Sequence, residues 1–160
     1  MSIDVYLTAV HEGNMGHFPL SVIDAVFKNV TIHKEISDDK CHIYVEYPNK
    51  DAGELFEFNG RICKIPDAFD AEVSIDIIHI DNIPMASGLS VNRPPGVDAF
   101  WDSLYEILKT THSVLYSSDI ALIIGQQETI VHIIPEMIEA LGEPFLIENH
   151  KQIFQVSRES

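Results

Sequence analysis

The sequence predicts a single α+β domain in which a mostly antiparallel or mixed sheet packs against two to four helices. Two observations lead to this prediction. Short runs of alternating apolar and polar residues cluster in the first half of the chain, whereas helical spacing appears only in isolated segments. With 160 residues, 46% hydrophobic and 22% charged, the chain can bury one core and has an average globular composition. We therefore expect residues 1–160 to form one domain.

Alternation or apolar enrichment predicts the strands, because successive side chains of a strand point to opposite faces. The polar turn at residues 48–53 favours a hairpin between the segments on either side of it. Residues 73–80 are rich in isoleucine and are expected to form a central strand buried on both faces. The predicted strands of the first half are residues 3–9, 30–36, 42–47, 54–58, 61–65 and 73–80.

Helical spacing is clearest at residues 97–109, where apolar residues recur at i, i+4, i+7 and i+8. Asp98 in the first turn and Lys109 in the last turn both agree with the helix dipole. Residues 127–141 are also predicted to be helical, but Pro135 should divide or kink this segment. The other predicted elements are a short helix at 19–27 and short strands at 114–116, 120–124, 145–147 and 152–156.

The stretch at residues 82–96 is rich in glycine and proline and is predicted to be an irregular connector within the domain. Met85 and Leu89 in this stretch are expected to expose apolar atoms that anchor a partner, since interfaces combine apolar anchors with a charged rim. The other interpretation places these side chains under the loop as a small satellite core.

The charge balance is the most unusual property of the chain, because 25 acidic residues against 10 basic ones give a formal charge of −15. Such a surface repels phosphates, so neither nucleic acid nor an anionic membrane is an expected partner. The same field steers a basic protein partner toward the chain. Simple solubility is the alternative explanation of the charge.

Two groups of carboxylates are the predicted partner-binding residues. Spacing of i, i+4, i+8 places the first group along one edge of the helix at 97–109, where like charges cost about 0.2–0.5 kcal/mol per pair. The second group surrounds the last helix, and the two groups form either one negative face or two ordinary solvated faces. The residues are Asp98, Asp102 and Glu106 in the first group and Glu136, Glu139 and Glu143 in the second.

The sequence contains no nucleotide-binding, serine-hydrolase or zinc-protease motif, so no catalytic residue, metal ligand or cofactor is predicted. The nearest approach to a metal site is the pair His11 and His17, and zinc needs three or four convergent ligands. His79 and Asp81 are expected on one face of their strand, where they form a candidate acid–base pair. These two pairs support an alternative hypothesis, a small hydrolase or metal-dependent enzyme.

Localisation is predicted from missing segments. The chain has no basic leader and no apolar run approaching the roughly 20 residues that span a bilayer, so a cytoplasmic location is expected. Cys41 and Cys63 lack CxxC spacing and are expected to be reduced thiols.

The small, acidic, motif-poor chain contains the segments Arg93-Pro94-Pro95-Gly96, Phe100-Trp101, Leu104-Tyr105 and Met137-Ile138-Glu139-Ala140-Leu141-Gly142. In these features it resembles the immunity proteins that protect bacteria from toxins delivered by neighbouring cells. The resemblance covers the second half of the chain better than the first and assigns no residue a role. It implies a tight complex with a toxin domain, whose active site is often basic in nucleases. The leading hypothesis is therefore an acidic binding protein without enzymatic activity, and a self-assembling subunit is a further alternative.

Overall fold

The centre of the fold is a ten-stranded mixed sheet in the computed structural model, which describes residues 4–155. The strands are β1 (Asp4–His11), β2 (Asn14–Met15), β3 (Phe18–Pro19), β4 (Thr31–Ile36), β5 (Lys40–Pro48), β6 (Leu55–Phe58), β7 (Arg61–Lys64), β8 (Ala68–Ile80), β9 (Ile83–Asn92), β10 (Ser113–Ser117), β11 (Ile123–Ile124) and β12 (Phe145–Leu146). The helices are α1 (Leu20–Val26), α2 (Asp98–Thr110), α3 (Pro135–Leu141) and two 3-10 helices, Gln127–His132 and His150–Gln155. The predicted α+β class is confirmed.

The strand order of the main sheet is β12-β11-β10-β1-β9-β8-β5-β4, and β2 and β3 pair with β1 and β9. The pairs are antiparallel except for β11 with β12. Strand β8 lies between β5 and β9, as expected for the isoleucine-rich segment. However, its predicted burial on both faces is wrong, because Val73 and Ile75 are buried whereas Ile78 and Ile80 are exposed.

The two faces of the sheet are covered differently. Helices α1 and α2 and the 3-10 helix His150–Gln155 cover one face, where the larger apolar core includes Leu115. The neighbouring Val114 belongs to a second, smaller cluster, in which residues of α3 pack against the sheet. Because adjacent residues of a strand point to opposite faces, α2 and α3 lie on opposite sides of the sheet.

The prediction of an irregular connector at residues 82–96 is wrong, because residues 83–92 form strand β9. Strand β9 pairs with β1 on one side and β8 on the other. Gly88 belongs to this strand for a steric reason: a Cβ atom there would lie 2.8 Å from the carbonyl oxygen of Leu7 on β1. The glycine that suggests a loop in the sequence therefore permits close backbone approach within the sheet.

The predicted hairpin between residues 42–47 and 54–58 is also wrong. Strand β5 pairs with β8, and β6 pairs only with β7 in a separate two-stranded sheet. The chain from 49 to 67 is thus an insertion between two adjacent strands. Residues 152–155, predicted as a strand, form part of a 3-10 helix, while residues 3 and 156 lie outside the described part of the chain.

The helix predictions are confirmed. Helix α2 buries the apolar face that its spacing predicts, and the segment at 127–141 is divided as Pro135 requires. Pro135 occupies the first turn of α3, where its missing N–H has no helical partner to lose. Gly142 ends α3 with a φ of 90°, a conformation that glycine adopts without strain.

Candidate functional site

In the described part of the chain, most of the sheet face opposite α2 is without a covering helix, because α3 packs against a cluster formed by β10, β11 and Val10 near the end of β1. We call this surface the open face. It is defined by alternating positions of six strands, β1, β4, β5, β8, β9 and β10; the intervening side chains of all of these except β4 contribute to the main core. Its charged and aromatic residues are Asp4, Tyr6, His33, Glu35, Lys40, His42, Tyr44, Glu46, Asp70, Glu72, Asp76 and Tyr116, with Thr8, Ser74 and Ser90 between them.

Negative charge dominates the open face. The face carries six carboxylates, on Asp4, Glu35, Glu46, Asp70, Glu72 and Asp76, against one lysine, Lys40. Arg93 borders the face, in a cleft that Asp70 and Glu72 also line. Lys40 contacts Asp76, and imidazole nitrogens of His42 and His33 lie 2.9 and 3.4 Å from Glu72 and Glu35.

Two carboxylates of the open face oppose each other, and neither of them is in a salt bridge with another described residue. Glu46 on β5 and Asp70 on β8 are direct cross-strand partners, and both are exposed. Among residues 4–155, no cationic nitrogen lies within 4.0 Å of either carboxylate. Like charges directly opposite each other destabilise a sheet, by an amount comparable to the roughly 0.2–1 kcal/mol of favourable pairs. The repulsion between Glu46 and Asp70 therefore lowers the stability of the isolated chain.

Three tyrosines give the open face aromatic surface with polar ends. Tyr6 and Tyr116 stack with ring centroids 5.6 Å apart, and the Tyr116 hydroxyl lies 3.2 Å from the Thr8 hydroxyl. Desolvation first, and then the carboxylates of Glu72 and Glu35, raise the pKa of Tyr44, so its hydroxyl stays protonated as a donor. Tyrosine is enriched in protein interfaces because it combines apolar area with a hydrogen-bonding tip.

The polar residues of the open face do not form a serine–histidine–acid relay. The hydroxyl of Ser74 and the carboxylate of Glu72 both approach Nδ1 of His42, at 3.2 and 2.9 Å. A relay needs the nucleophile and the acid on opposite nitrogens of the imidazole. This trio is therefore an ordinary polar cluster.

A second feature is a column of histidines beside the β1–β2 turn. The ring of His132 lies 5.4 Å from that of His11 and 4.3 Å from that of His112. The backbone N–H of Glu12 donates a 3.0 Å hydrogen bond to Nδ1 of His132. His11 and His112 also line a cavity of about 530 Å³ together with His17, so the structure brings the predicted pair His11 and His17 to one cavity.

The histidine column is not arranged as a metal site. The rings of His11 and His132 are nearly parallel, at 11°, so their in-plane lone pairs do not converge on one point. Within residues 4–155, no group of three or more histidine, cysteine, aspartate or glutamate side chains has a geometry that can hold a metal ion. Zinc requires such convergence.

Of the histidine column, His112 is expected to make stability depend on pH. Burial, and then the neighbouring His132 and His11, lower the pKa of His112 from 6.5, although Glu128 opposes this shift. As the pH falls, His112 therefore binds a proton in the unfolded chain before it does in the folded chain, so its contribution to stability is full above pH 6.5 and is lost as the pH drops below that value. We expect His112→Asn to flatten this decline in urea unfolding between about pH 7.5 and about pH 5. An unchanged pH dependence in the variant would contradict the assignment.

The predicted acidic residues of the helices lie on both sides of the sheet, so the two groups do not form one face. Asp98, Asp102 and Glu106 are on α2, and Glu136 and Glu139 are on α3 with Glu143 just after it. The first group has nitrogen atoms nearby: nitrogens of His150 lie 3.8 and 3.5 Å from Asp98 and Asp102, and Nζ of Lys109 lies 3.9 Å from Glu106. Glu136, Glu139 and Glu143 are exposed.

The prediction that Leu89 exposes apolar atoms to a partner is wrong. Its side chain is only 3% exposed and belongs to the main core, because it lies on the helix-covered side of β9. A partner cannot contact it in the folded chain. Met85 is half-buried, near the end of the same strand.

The predicted acid–base pair is also separated. Nε2 of His79 lies 2.8 Å from the carbonyl oxygen of Asp38, which occupies one nitrogen of the ring. Asp81 is in the β8–β9 turn with a φ of 52°, so it does not share a strand face with His79. A turn at this point interrupts the alternation on which the prediction depended.

The sequence analysis missed the open face, although a signal for it was present. Residues 40–46 place Lys40, His42, Tyr44 and Glu46 at alternate positions, and 70–76 place Asp70, Glu72, Ser74 and Asp76 in the same way. Each set marks the outer side of a half-buried strand. What the sequence did not show is that these strands are neighbours in the sheet.

Comparison with known proteins does not identify a relative: no protein-family model matches the chain, and neither a curated protein nor a solved structure is significantly similar to it. Among residues 4–155, none of the helices has the length and apolar character needed to cross a membrane.

Proposed function

We propose that this protein acts in the cytoplasm, without enzymatic activity, by binding a basic protein partner through the open face. The observation that carries the proposal is the uncompensated pair of Glu46 and Asp70. A lysine or arginine of the partner between these carboxylates would relieve their repulsion and gain two charge-assisted contacts. The repulsion between the two carboxylates lowers the stability of the isolated chain, and binding of the partner's cation would remove that repulsion.

The surroundings of this pair support a protein partner. Tyr6, Tyr44 and Tyr116 supply rigid aromatic area that protein interfaces use as anchors. The negative field of the whole chain raises the association rate with a basic molecule. A broad, exposed sheet face suits the contact of two folded domains better than the enclosure of a small molecule.

We further propose that the partner is a toxin domain, which this protein neutralises as an immunity protein does. This extends the resemblance described for the sequence and is supported by charge. A toxin that cleaves nucleic acid binds phosphates with lysine and arginine, and those residues complement the open face. The acidic face would then cover the basic substrate-binding surface of the toxin.

The experiment is capture of partners from the native host with the tagged chain, followed by mass spectrometry and elution at increasing salt. We expect one basic protein at equal stoichiometry, released as salt screens the contact. The purified partner is then rebound to the tagged chain to show that the interaction is direct. Either the lack of a stoichiometric basic protein or release that is insensitive to salt would argue against the proposal.

A second candidate function is hydrolysis or metal-assisted chemistry at the histidine cavity. It is favoured by one observation, that His11, His17 and His112 line the same cavity. Neutral His112 suits a general base near neutral pH. Metal analysis of untagged protein and substrate screening test this function, and it requires that His17→Ala abolish any activity found. A metal-free protein without activity eliminates it.

A further inference from the structure

The β1–β2 turn is held by one residue from a distant part of the chain. Glu12 and Gly13 form this two-residue turn with φ values of 47° and 82°, as a type I′ hairpin requires. These values suit Gly13, but for Glu12 they are a strained conformation that the surrounding structure must maintain. The N–H of Glu12 donates to Nδ1 of His132 at 3.0 Å, and the N–H of Gly13 donates to the carbonyl oxygen of the same residue at 3.1 Å. His132 therefore accepts both N–H groups of the turn.

The hydrogen bond to Nδ1 exists only while the ring of His132 is neutral. A backbone N–H can only donate, so Nδ1 must present a lone pair to Glu12, and the proton of the neutral ring is on Nε2. Protonation adds a hydrogen atom at Nδ1, and this atom then faces the N–H of Glu12. The neighbouring contact tolerates a proton: Oγ1 of Thr129 lies 3.5 Å from Nδ1 of His112, and a hydroxyl can change from donor to acceptor. The contact between Glu12 and His132 is therefore the one that protonation breaks.

The surroundings of His132 do not compensate a proton on its ring. No carboxylate oxygen of residues 4–155 lies within 4.0 Å of its nitrogens, and the carboxylate of Glu12 instead lies 3.7 Å from Nε2 of His11. An imidazolium at His132 also lies between two other imidazoles, which repel it when they are protonated. The titratable groups of the elements that meet here are His11 and Glu12 of β1 and its turn, His17 across the cavity, His112 before β10, Glu128 of the 3-10 helix and Glu136 in the first turn of α3.

We propose that His132 is a pH switch, which holds the β1–β2 turn to the 3-10 helix Gln127–His132 when its ring is neutral and releases the turn when its ring is protonated. Imidazole changes its charge between about pH 5 and about pH 8, so modest acidification operates the switch. Val10 before the turn and Ile133 after His132 are both buried in the smaller apolar cluster. Because that cluster stays packed, the release is a local opening of the turn. The switch operates in the isolated chain, so it does not depend on the proposed function.

The test is amide hydrogen exchange of the purified chain, measured by NMR at about pH 7.5 and about pH 5.5, with each rate divided by the intrinsic rate at that pH. We expect the protection of the Glu12 amide to fall by about tenfold at the lower pH, which is the effect of one lost hydrogen bond. Amides of β9 in the centre of the sheet report unfolding of the whole chain and should lose less protection. Protection of Glu12 that does not change, or that falls only as much as that of β9, overturns the proposal.

Substitutions at His132 separate its protonation from other effects of acid. His132→Asn places an amide oxygen near the position of Nδ1 and cannot take up a proton, so Glu12 should keep its protection at both pH values. His132→Ala has no side-chain acceptor, so the protection should be low at both. His33→Asn is the matched control, because it removes an exposed imidazole from the edge strand β4, and it should keep the pH dependence of the wild type. A His132→Asn variant that opens at the lower pH as the wild type does contradicts the switch.

Discussion

Reversing both carboxylates of the uncompensated pair, Glu46→Lys with Asp70→Lys, is expected to lower the association rate with the basic partner by about 10- to 1000-fold at low salt. The physical reason is twofold. In the proposed complex, the field that steers the partner would become locally positive, and the partner's cation would meet two ammonium groups in place of the carboxylates of Glu46 and Asp70. Surface plasmon resonance with the captured partner measures the rate and its dependence on salt.

A matched variant decides between the open face and the helix surface that the sequence suggested. Asp98→Lys with Asp102→Lys makes the same change in net charge on α2, on the other side of the sheet. If the open face is the interface, the association rate of this control should fall only slightly, because the α2 carboxylates attract the partner only at long range. A larger loss in the α2 variant than in the β5–β8 variant would place the interface on the helix.

Stability provides an internal check on the same pair. Glu46→Gln with Asp70→Asn removes the like-charge repulsion without changing the shape of either side chain much. We expect the free energy of unfolding to rise by a few tenths of a kcal/mol, up to about 1 kcal/mol, while binding weakens. A gain in stability together with a loss of binding is the signature of a position kept for function. Urea unfolding and the same binding assay measure the two effects.

Truncation of Leu89 is expected to produce the largest change in stability. Leu89→Ala should lower the free energy of unfolding by about 2–5 kcal/mol, because it removes buried apolar atoms and leaves a cavity. The side chain lies in the centre of the sheet, between Leu7 of β1 and Ile75 of β8 on the neighbouring strands. All three residues belong to the main core. Urea unfolding monitored by circular dichroism measures the change.

Met85→Ala is the control for this prediction. Met85 precedes Leu89 on the same strand but is half-buried and lies outside the main core, so its truncation should cost much less. The folded Leu89→Ala protein should bind the partner as the wild type does. If the Leu89→Ala variant instead keeps near-normal stability but loses binding, Leu89 contacts the partner as the sequence predicted.

Much of the element pattern follows from local rules that the sequence displays. Helix α2 is recognisable because its apolar spacing repeats over three turns, and Pro135 marks the start of α3 because proline has no N–H to lose there. The corrections occur where a local signal has two physical meanings. Gly88 resembles a loop residue, yet a close backbone approach inside a sheet requires the same lack of a Cβ atom.

The candidate surfaces depend instead on which strands are neighbours, and this is a property of the whole chain. The polar positions of β5 and β8 were visible in the sequence, but pairing across a long insertion is not a local property, so the opposition of Glu46 and Asp70 was hidden. The histidine column was hidden for the same reason, because His11 and His132 are far apart in the chain and meet only in the folded structure.

The sequence by itself determined the charge, the fold class and most helices and strands, because composition and periodicity act over a few residues. Only the tertiary structure decided the placement of the acids. Core burial put α2 and α3 on opposite sides of the sheet and left one polar face open.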